Sequence, residues 1–172
     1  ETMDAEYKLV QFHPSYDYTD FVEGLRPIEK DGNIGFERRD GVFKELCKNA
    51  ISTNKPFVFI IDEINRGEVS KIFGELFYSI DPGYRGEKGK VLTQYQNLIE
   101  DNDTFKDGFY VPENVYIIGT MNDIDRSVES MDFAFRRRFA FVEIKAEDRL
   151  SMLDELNDES LKEKAINRLK NL

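Results

Sequence analysis

Phe57-Val-Phe-Ile-Ile-Asp-Glu-Ile-Asn-Arg66 decides the fold of this chain. Its first five residues are all apolar, and each is aromatic or β-branched. Such a run predicts a strand covered on both faces, as in a parallel sheet. The strand stops at two adjacent carboxylates, Asp62 and Glu63. Open α/β sheets build ligand crevices where the carboxyl ends of such strands emerge. A hard cation such as Mg²⁺ suits the first acid, through a water, and the second can orient an attacking water. Taken alone, the run fits a plain core strand that exits into a charged loop equally well.

A second segment repeats the design. Val115-Tyr-Ile-Ile-Gly-Thr-Met-Asn122 follows Pro112 and ends in the polar group Met121-Asn122-Asp123. If the two strands run parallel, Asp62, Glu63 and Asn122 emerge at one edge of one sheet. The Asn122 amide offers both donor and acceptor, which suits a water or a phosphate oxygen.

A third segment follows: Asp125-Arg126-Ser127, then a helix signal, then Phe135-Arg-Arg-Arg-Phe139. Ser127 is the expected N-cap, with Ser130 as a second candidate. Val128, Met131 and Phe135 share one helix face, which puts Arg136, Arg137 and Arg138 in the last turn. Basic residues there offset the helix dipole, which accounts for one or two of them. Three of them, just before an expected strand from Phe139 to Ile144, also fit a guanidinium that reaches a neighbouring subunit's phosphate.

Together these blocks make the chain resemble the AAA+ GTPase subunits of methylcytosine-specific restriction systems, the McrB family. The resemblance runs from about Val10 to Ile144. It rests on Phe12-His-Pro-Ser-Tyr-Asp-Tyr-Thr-Asp-Phe-Val-Glu-Gly-Leu-Arg-Pro27, Ile61-Asp-Glu-Ile-Asn-Arg-Gly67, Ser70-Lys-Ile-Phe-Gly-Glu-Leu76, Ile118-Gly-Thr-Met-Asn-Asp-Ile-Asp-Arg-Ser127 and Phe135-Arg-Arg-Arg-Phe139. The Met-Asn-x-x-Asp-Arg signature is the sharpest of these. The resemblance implies that Asp62 and Glu63 are the Walker B pair and that Asp62 holds Mg²⁺ through water. It implies that Asn122 is the sensor that positions the hydrolytic water, with Asp125 and Arg126 in the same signature. It implies that Arg137 and Arg138 are arginine fingers. The implied cofactors are Mg²⁺ and GTP, or ATP. The implied partners are further copies of the chain in a ring, a nuclease subunit, and DNA through a separate domain.

One family element is missing from the sequence. No Gly-x-x-x-x-Gly-Lys-Ser/Thr loop is present. The tempting stretch Gly83-Tyr-Arg-Gly-Glu-Lys-Gly-Lys90 has Tyr84 where the first glycine belongs and Val91 where a Mg²⁺-binding hydroxyl belongs. It reads as a surface loop. In the family the phosphate loop lies upstream of the His13 block, so the expectation is a core incomplete at its N-terminus. Without backbone N–H groups around the phosphates, such a piece should hold nucleotide weakly and be inactive alone.

Composition narrows the class. The 172 residues suit one domain, and 40% hydrophobic content supports a real core. No segment reaches the ~18 apolar residues of a membrane span. The single cysteine, Cys47, excludes an internal disulfide and shares an apolar helix face with Val42, Phe43, Leu46, Ala50 and Ile51. A cytoplasmic setting and no membrane partner are expected. A formal charge of −10 argues against broad nucleic-acid binding by this piece. Glu100, Asp101, Asp103 and Asp107 read as one solvated loop. That loop mimics a calcium site only faintly, because its glycine comes late and Phe105 takes a ligand position.

Between the motifs, Lys8 to Phe12 predicts a strand that Pro14 ends. His13 fits a hydrogen-bonded structural role better than a catalytic base, and Tyr16, Tyr18 and Phe21 fit packing better than nucleotide stacking. Asp17 or Thr19 should cap a short turn. Residues 29–40 read as a loop, Val42 to Ser52 as a helix capped by Asp40 or nearby, and Ser70 to Ile80 as one helix with Glu75 in solvent. Val91 to Tyr95 and Phe109 to Val111 could pair as a hairpin. Glu147 to Leu156 and Glu159 to Leu172 predict amphipathic helices.

The reading is an α/β three-layer AAA+ P-loop NTPase core with a mostly parallel sheet over residues 1–145, and the start of a helical lid over 146–172. It predicts a GTP-hydrolysing, ring-forming subunit that drives a restriction endonuclease. The rivals are an AAA+ ATPase that remodels proteins, of the MoxR type, and a non-catalytic assembly module.

Overall fold

The computed structural model describes residues 5–30, 32–122 and 133–169. The chain divides into two units, Glu1–Arg138 and Phe139–Leu172. The expected boundary lay after residue 145.

The first unit opens with strand β1 (Glu6–Gln11). The Asp17 carboxylate then accepts from the Thr19 and Asp20 N–H groups at 2.8 and 3.2 Å, which caps α1 (Tyr18–Phe21). Strands β2 (Glu23–Lys30) and β3 (Asn33–Asp40) pair as an antiparallel hairpin. Helix α2 (Val42–Ile51) leads into β4 (Phe57–Asp62). Two short helices, α3 (Val69–Phe73) and α4 (Leu76–Ser79), precede a long irregular segment, which ends at β5 (Val115–Gly119). Helix α5 (Phe133–Arg136) closes the unit. The second unit holds a 3₁₀ segment (Ala146–Leu153) and helix α6 (Glu159–Leu169).

The sheet that matters has the order β1-β4-β5, with both neighbours of β4 parallel to it. Its register sets Gln11 beside Asp62 and Ile61 beside Gly119. The expected parallel pairing of the two apolar segments is therefore present, and their polar ends share one edge.

Phenylalanine builds the core on one face of this sheet. Phe59 of β4 meets Phe21 at 5.6 Å and Phe43 at 5.0 Å, and Phe21 stacks on Phe43 at 4.8 Å. Phe73 extends the cluster to Phe135 at 5.4 Å, which fixes the residue just ahead of the arginine run. Ring contacts at these spacings add to the area term of burial. Cys47 is buried in the same core, and burial raises its thiol pKa.

The other face differs from expectation. Both faces of β4 were expected to be covered, but Val58 and Ile60 are only half-buried. The same rows carry Tyr7 and Leu9 from β1 and Tyr116 and Ile118 from β5, all exposed. Among the described residues of the first unit, the helices cover one face only.

Several local expectations give way to tertiary context. Residues 29–40 are not a loop. Residues 29 and 30 end β2 and residues 33–40 form β3, with Gly32 at φ 76° before it. The helix expected from Ser70 to Ile80 breaks at Gly74, whose φ of 50° and ψ of −129° only glycine accepts readily. A Cβ there would lie 3.0 Å from the Tyr18 ring. The α2 cap is the Gly41 backbone, since Asp40 turns to Arg38 and Lys48 instead. Asp103 leaves the solvated loop for the same cluster, meeting Lys48 at 2.6 Å and Arg38 at 3.2 Å. Glu75 is half-buried and accepts a hydrogen bond from the Tyr18 hydroxyl. Val91 and Phe109 form a single bridge rather than a hairpin. Phe139 to Ile144 was expected as a strand but has no strand conformation. The helix expected over Glu147 to Leu156 is 3₁₀ in character, with a break at Arg149.

Candidate active site

Asp62 is the last residue of β4, so the ladder fixes its backbone while its side chain reaches past the sheet. Two donors from the flanking strands meet its carboxylate. Gln11 Nε2 donates to Oδ2 at 3.0 Å, and Thr120 Oγ1 donates to Oδ1 at 2.6 Å. Hydrogen bonds to an ionised group are the stronger kind.

Glu63 turns sharply away from the strand, with φ 53° and ψ 46°. It is the only non-glycine residue with positive φ among those described. The left-handed conformation costs about 1–2 kcal/mol in an ordinary residue. Three bonds sustain it. The Glu63 N–H donates to Thr120 Oγ1 at 3.3 Å, the Ile64 N–H donates to the Thr120 carbonyl at 2.9 Å, and the Thr120 N–H donates to the Ile61 carbonyl at 2.9 Å. Arg66 Nε donates to Glu63 Oε2 at 3.1 Å and holds the carboxylate.

Asn122 lies just beyond the end of β5 and is exposed. Its carbonyl accepts from Asn65 Nδ2 at 3.3 Å, which ties the two strand ends together a second time. Asn65 Oδ1 is buried with no hydrogen-bond partner among the described residues. The sequence marked Asp62, Glu63 and Asn122. It did not mark Thr120, Gln11 or Asn65 as site residues, although each stands at a strand end or in the turn behind it.

Asp125 and Arg126 lie outside the described residues, as does the expected Ser127 helix start. The arginine run is described, and its members differ. Arg136 and Arg137 are exposed. Arg138 is tucked into its own unit with 10% of its side chain accessible. Its guanidinium lies 5.0 Å from the Phe77 ring centroid, approaches Asp81 at 3.9 Å and donates to the Ala134 carbonyl.

The flanking candidates are structural. His13 Nδ1 accepts from the Ser15 N–H at 3.2 Å. Tyr16 stacks on Phe12 at 4.9 Å, and burial, with Asp20 and Asp17 nearby, pushes its hydroxyl up to about 12. The Gly83 to Lys90 stretch folds as two 3₁₀ turns, and a Cβ at Gly89 would strike the Tyr84 carbonyl oxygen at 1.7 Å.

The donor set fits Mg²⁺. One carboxylate with hydroxyl and amide neighbours is oxygen chemistry, and Mg²⁺ is commonly held by one or two carboxylates together with substrate phosphates and water.

The mostly parallel sheet with its helices agrees with the family that the comparisons show. Residues 1–139 match the AAA domain, dynein-related subfamily. The chain belongs to this family. It is also McrB-like. It is 47% identical over 137 residues to the Type IV methyl-directed restriction enzyme EcoKMcrB subunit of Escherichia coli (strain K12), covering 79% of this chain and 28% of that protein. It is 27% identical over 161 residues to the Type II restriction enzyme BsuMI component YdiS of Bacillus subtilis (strain 168), covering 78% of this chain and 47% of that protein. A crystal structure from Cytophaga hutchinsonii, whose ATPase designation is provisional, overlays at TM-score 0.46 and 16% identity, covering 98% of this chain and 46% of that one. The chain thus spans less than half the length of each curated relative. No helix among the described residues is long and apolar enough to cross a membrane.

Proposed function

We propose that the protein carrying this AAA domain hydrolyses a nucleoside triphosphate, GTP in preference to ATP, as a ring-forming subunit that drives a restriction nuclease in the cytoplasm. The observation that carries the reading is the pairing of β4 with β5, which brings Asp62, Glu63 and Asn122 to one edge. The preference for GTP rests on the Met121 to Ser127 signature alone.

Asp62 would hold Mg²⁺ through water, and the ion would supply charge neutralisation at the phosphates. Glu63, aimed by its left-handed turn, accepts a proton from the attacking water. Asn122 orients that water by donating or accepting through its amide. An arginine from the adjacent copy offsets the charge that develops as the phosphoryl group leaves. Arg137 fits this role better than Arg138, because it is exposed and Arg138 is held at home. Asp125 and Arg126 complete the signature beside Asn122. A nuclease subunit and DNA would be met by parts of the assembly other than this acidic domain.

The test is Glu63→Gln in the full-length protein. Nucleotide binding should persist while turnover is abolished, and near-normal hydrolysis would refute the role.

A further inference from the structure

The hydroxyl of Thr120 touches both acids at once. It donates to Asp62 Oδ1 at 2.6 Å and accepts the Glu63 N–H at 3.3 Å. The backbone of the same residue bonds on either side of the acid pair, to Ile61 and Ile64. Gln11 grips the second oxygen of Asp62 from the opposite strand. A hydroxyl that donates to one acid must accept through its remaining lone pairs, so its proton is committed to Asp62 and its acceptor face to Glu63. We propose that Thr120 is a positioning residue that orients the metal-binding Asp62 and the water-activating Glu63 through one oxygen atom, with Gln11 completing the grip on Asp62 alone. This rests on the hydrolytic reading of the acid pair.

The division of labour gives a signature that simple stability would not. Loss of the Thr120 hydroxyl frees the Asp62 carboxylate and removes one of the bonds that hold the Glu63 backbone turn, so it weakens metal binding and slows turnover. Loss of the Gln11 amide frees only Asp62, so it weakens metal binding first. Groups that hydrogen-bond a metal-binding residue typically matter by roughly 10- to 100-fold in affinity or activity. The open rim of this site places Thr120 and Gln11 at the lower end of that range.

The experiment uses the full-length protein with a non-hydrolysable nucleotide. Mn²⁺ affinity is read by electron paramagnetic resonance, and kcat is read separately with Mg²⁺. Thr120→Val should weaken Mn²⁺ roughly tenfold and lower kcat. Thr120→Ser should restore both. Gln11→Leu should weaken Mn²⁺ affinity and lower kcat less than Thr120→Val does. Glu63→Gln serves as the control for the underlying reading. If Glu63→Gln turns over normally, the hydrolytic reading falls. If Glu63→Gln is inactive while Thr120→Val matches the parent in Mn²⁺ affinity and kcat, the positioning role alone falls. If Thr120→Val does not fold, Gln11→Leu decides, and unchanged Mn²⁺ affinity there overturns the grip on Asp62.

Discussion

Lys44 Nζ donates to Glu23 Oε2 at 2.6 Å, and neither side chain is exposed to solvent. The pair joins α2 to the base of the β2–β3 hairpin. Arg38 reaches the same carboxylate oxygen at 3.1 Å, and the Tyr95 N–H reaches the other oxygen at 2.9 Å. Removing one partner of a buried ion pair strands the other. Lys44→Met is therefore expected to destabilise by about 3 kcal/mol, the lower end for such breaks, since Arg38 and the Tyr95 amide remain. Urea unfolding measures it. The double variant Lys44→Met/Glu23→Gln should be more stable than Lys44→Met alone.

The same cluster sets an acid limit. Burial alone would raise the Glu23 carboxyl, but hydrogen bonds from Lys44 and Thr93 and the Lys44 charge hold it below the usual carboxylate range. Asp103 behaves likewise, with Lys48 and the Phe105 N–H outweighing its burial. When the folded pKa is depressed, the unfolded chain takes up protons first. The contribution is complete above the unfolded carboxylate pKa and is lost as the pH falls through the folded value. Urea midpoints measured over a pH series should hold their cluster contribution down to about 4.5 and decline below it. Glu23→Gln should shallow that decline.

The arginine run separates by role. Arg137→Ala should leave the melting temperature unchanged and cut hydrolysis by the full-length protein by ~10³ or more, as loss of a trans guanidinium does. Arg138→Ala should instead lower the melting temperature, because it removes the contact with Phe77 and the bond to the Ala134 carbonyl. The reverse pattern would assign the trans role to Arg138.

The bare sheet face predicts behaviour of the 172-residue chain in solution. Tyr7, Leu9, Tyr116 and Ile118 form a contiguous apolar surface of a kind that soluble proteins rarely expose. The chain is expected to self-associate at rising concentration. Leu9→Lys with Ile118→Lys should suppress the association without lowering the melting temperature. Light scattering and a thermal melt on the same samples check both.

The shared polar edge was legible because β4 and β5 are uninterrupted apolar runs, and such runs in an α/β pattern pair in parallel. Elements governed by partners were not. The Asp31-Gly32 dipeptide is a hairpin signal, but Ile34 and Phe36 point their apolar side chains at solvent, so alternation did not mark a strand. Helical periodicity ran straight across Gly74 because spacing carries no information about the approach of the Tyr18 ring. Phe139 to Ile144 has strand composition, and composition alone does not supply the pairing that makes a strand. Thr120 and Gln11 carry no chemical flag of their own. Only the register that sets β1 and β5 against β4 brings their polar atoms to Asp62.

The left-handed turn at Glu63 makes this corner of the molecule behave as a latch. Relaxing residue 63 to right-handed dihedrals would swing the peptide on each side of it, and the bonds from residues 63 and 64 to Thr120 would break together. The direction in which the Glu63 side chain leaves the sheet therefore changes only when the junction between two neighbouring strands gives way as a unit, while Arg66 steadies the carboxylate within that frame.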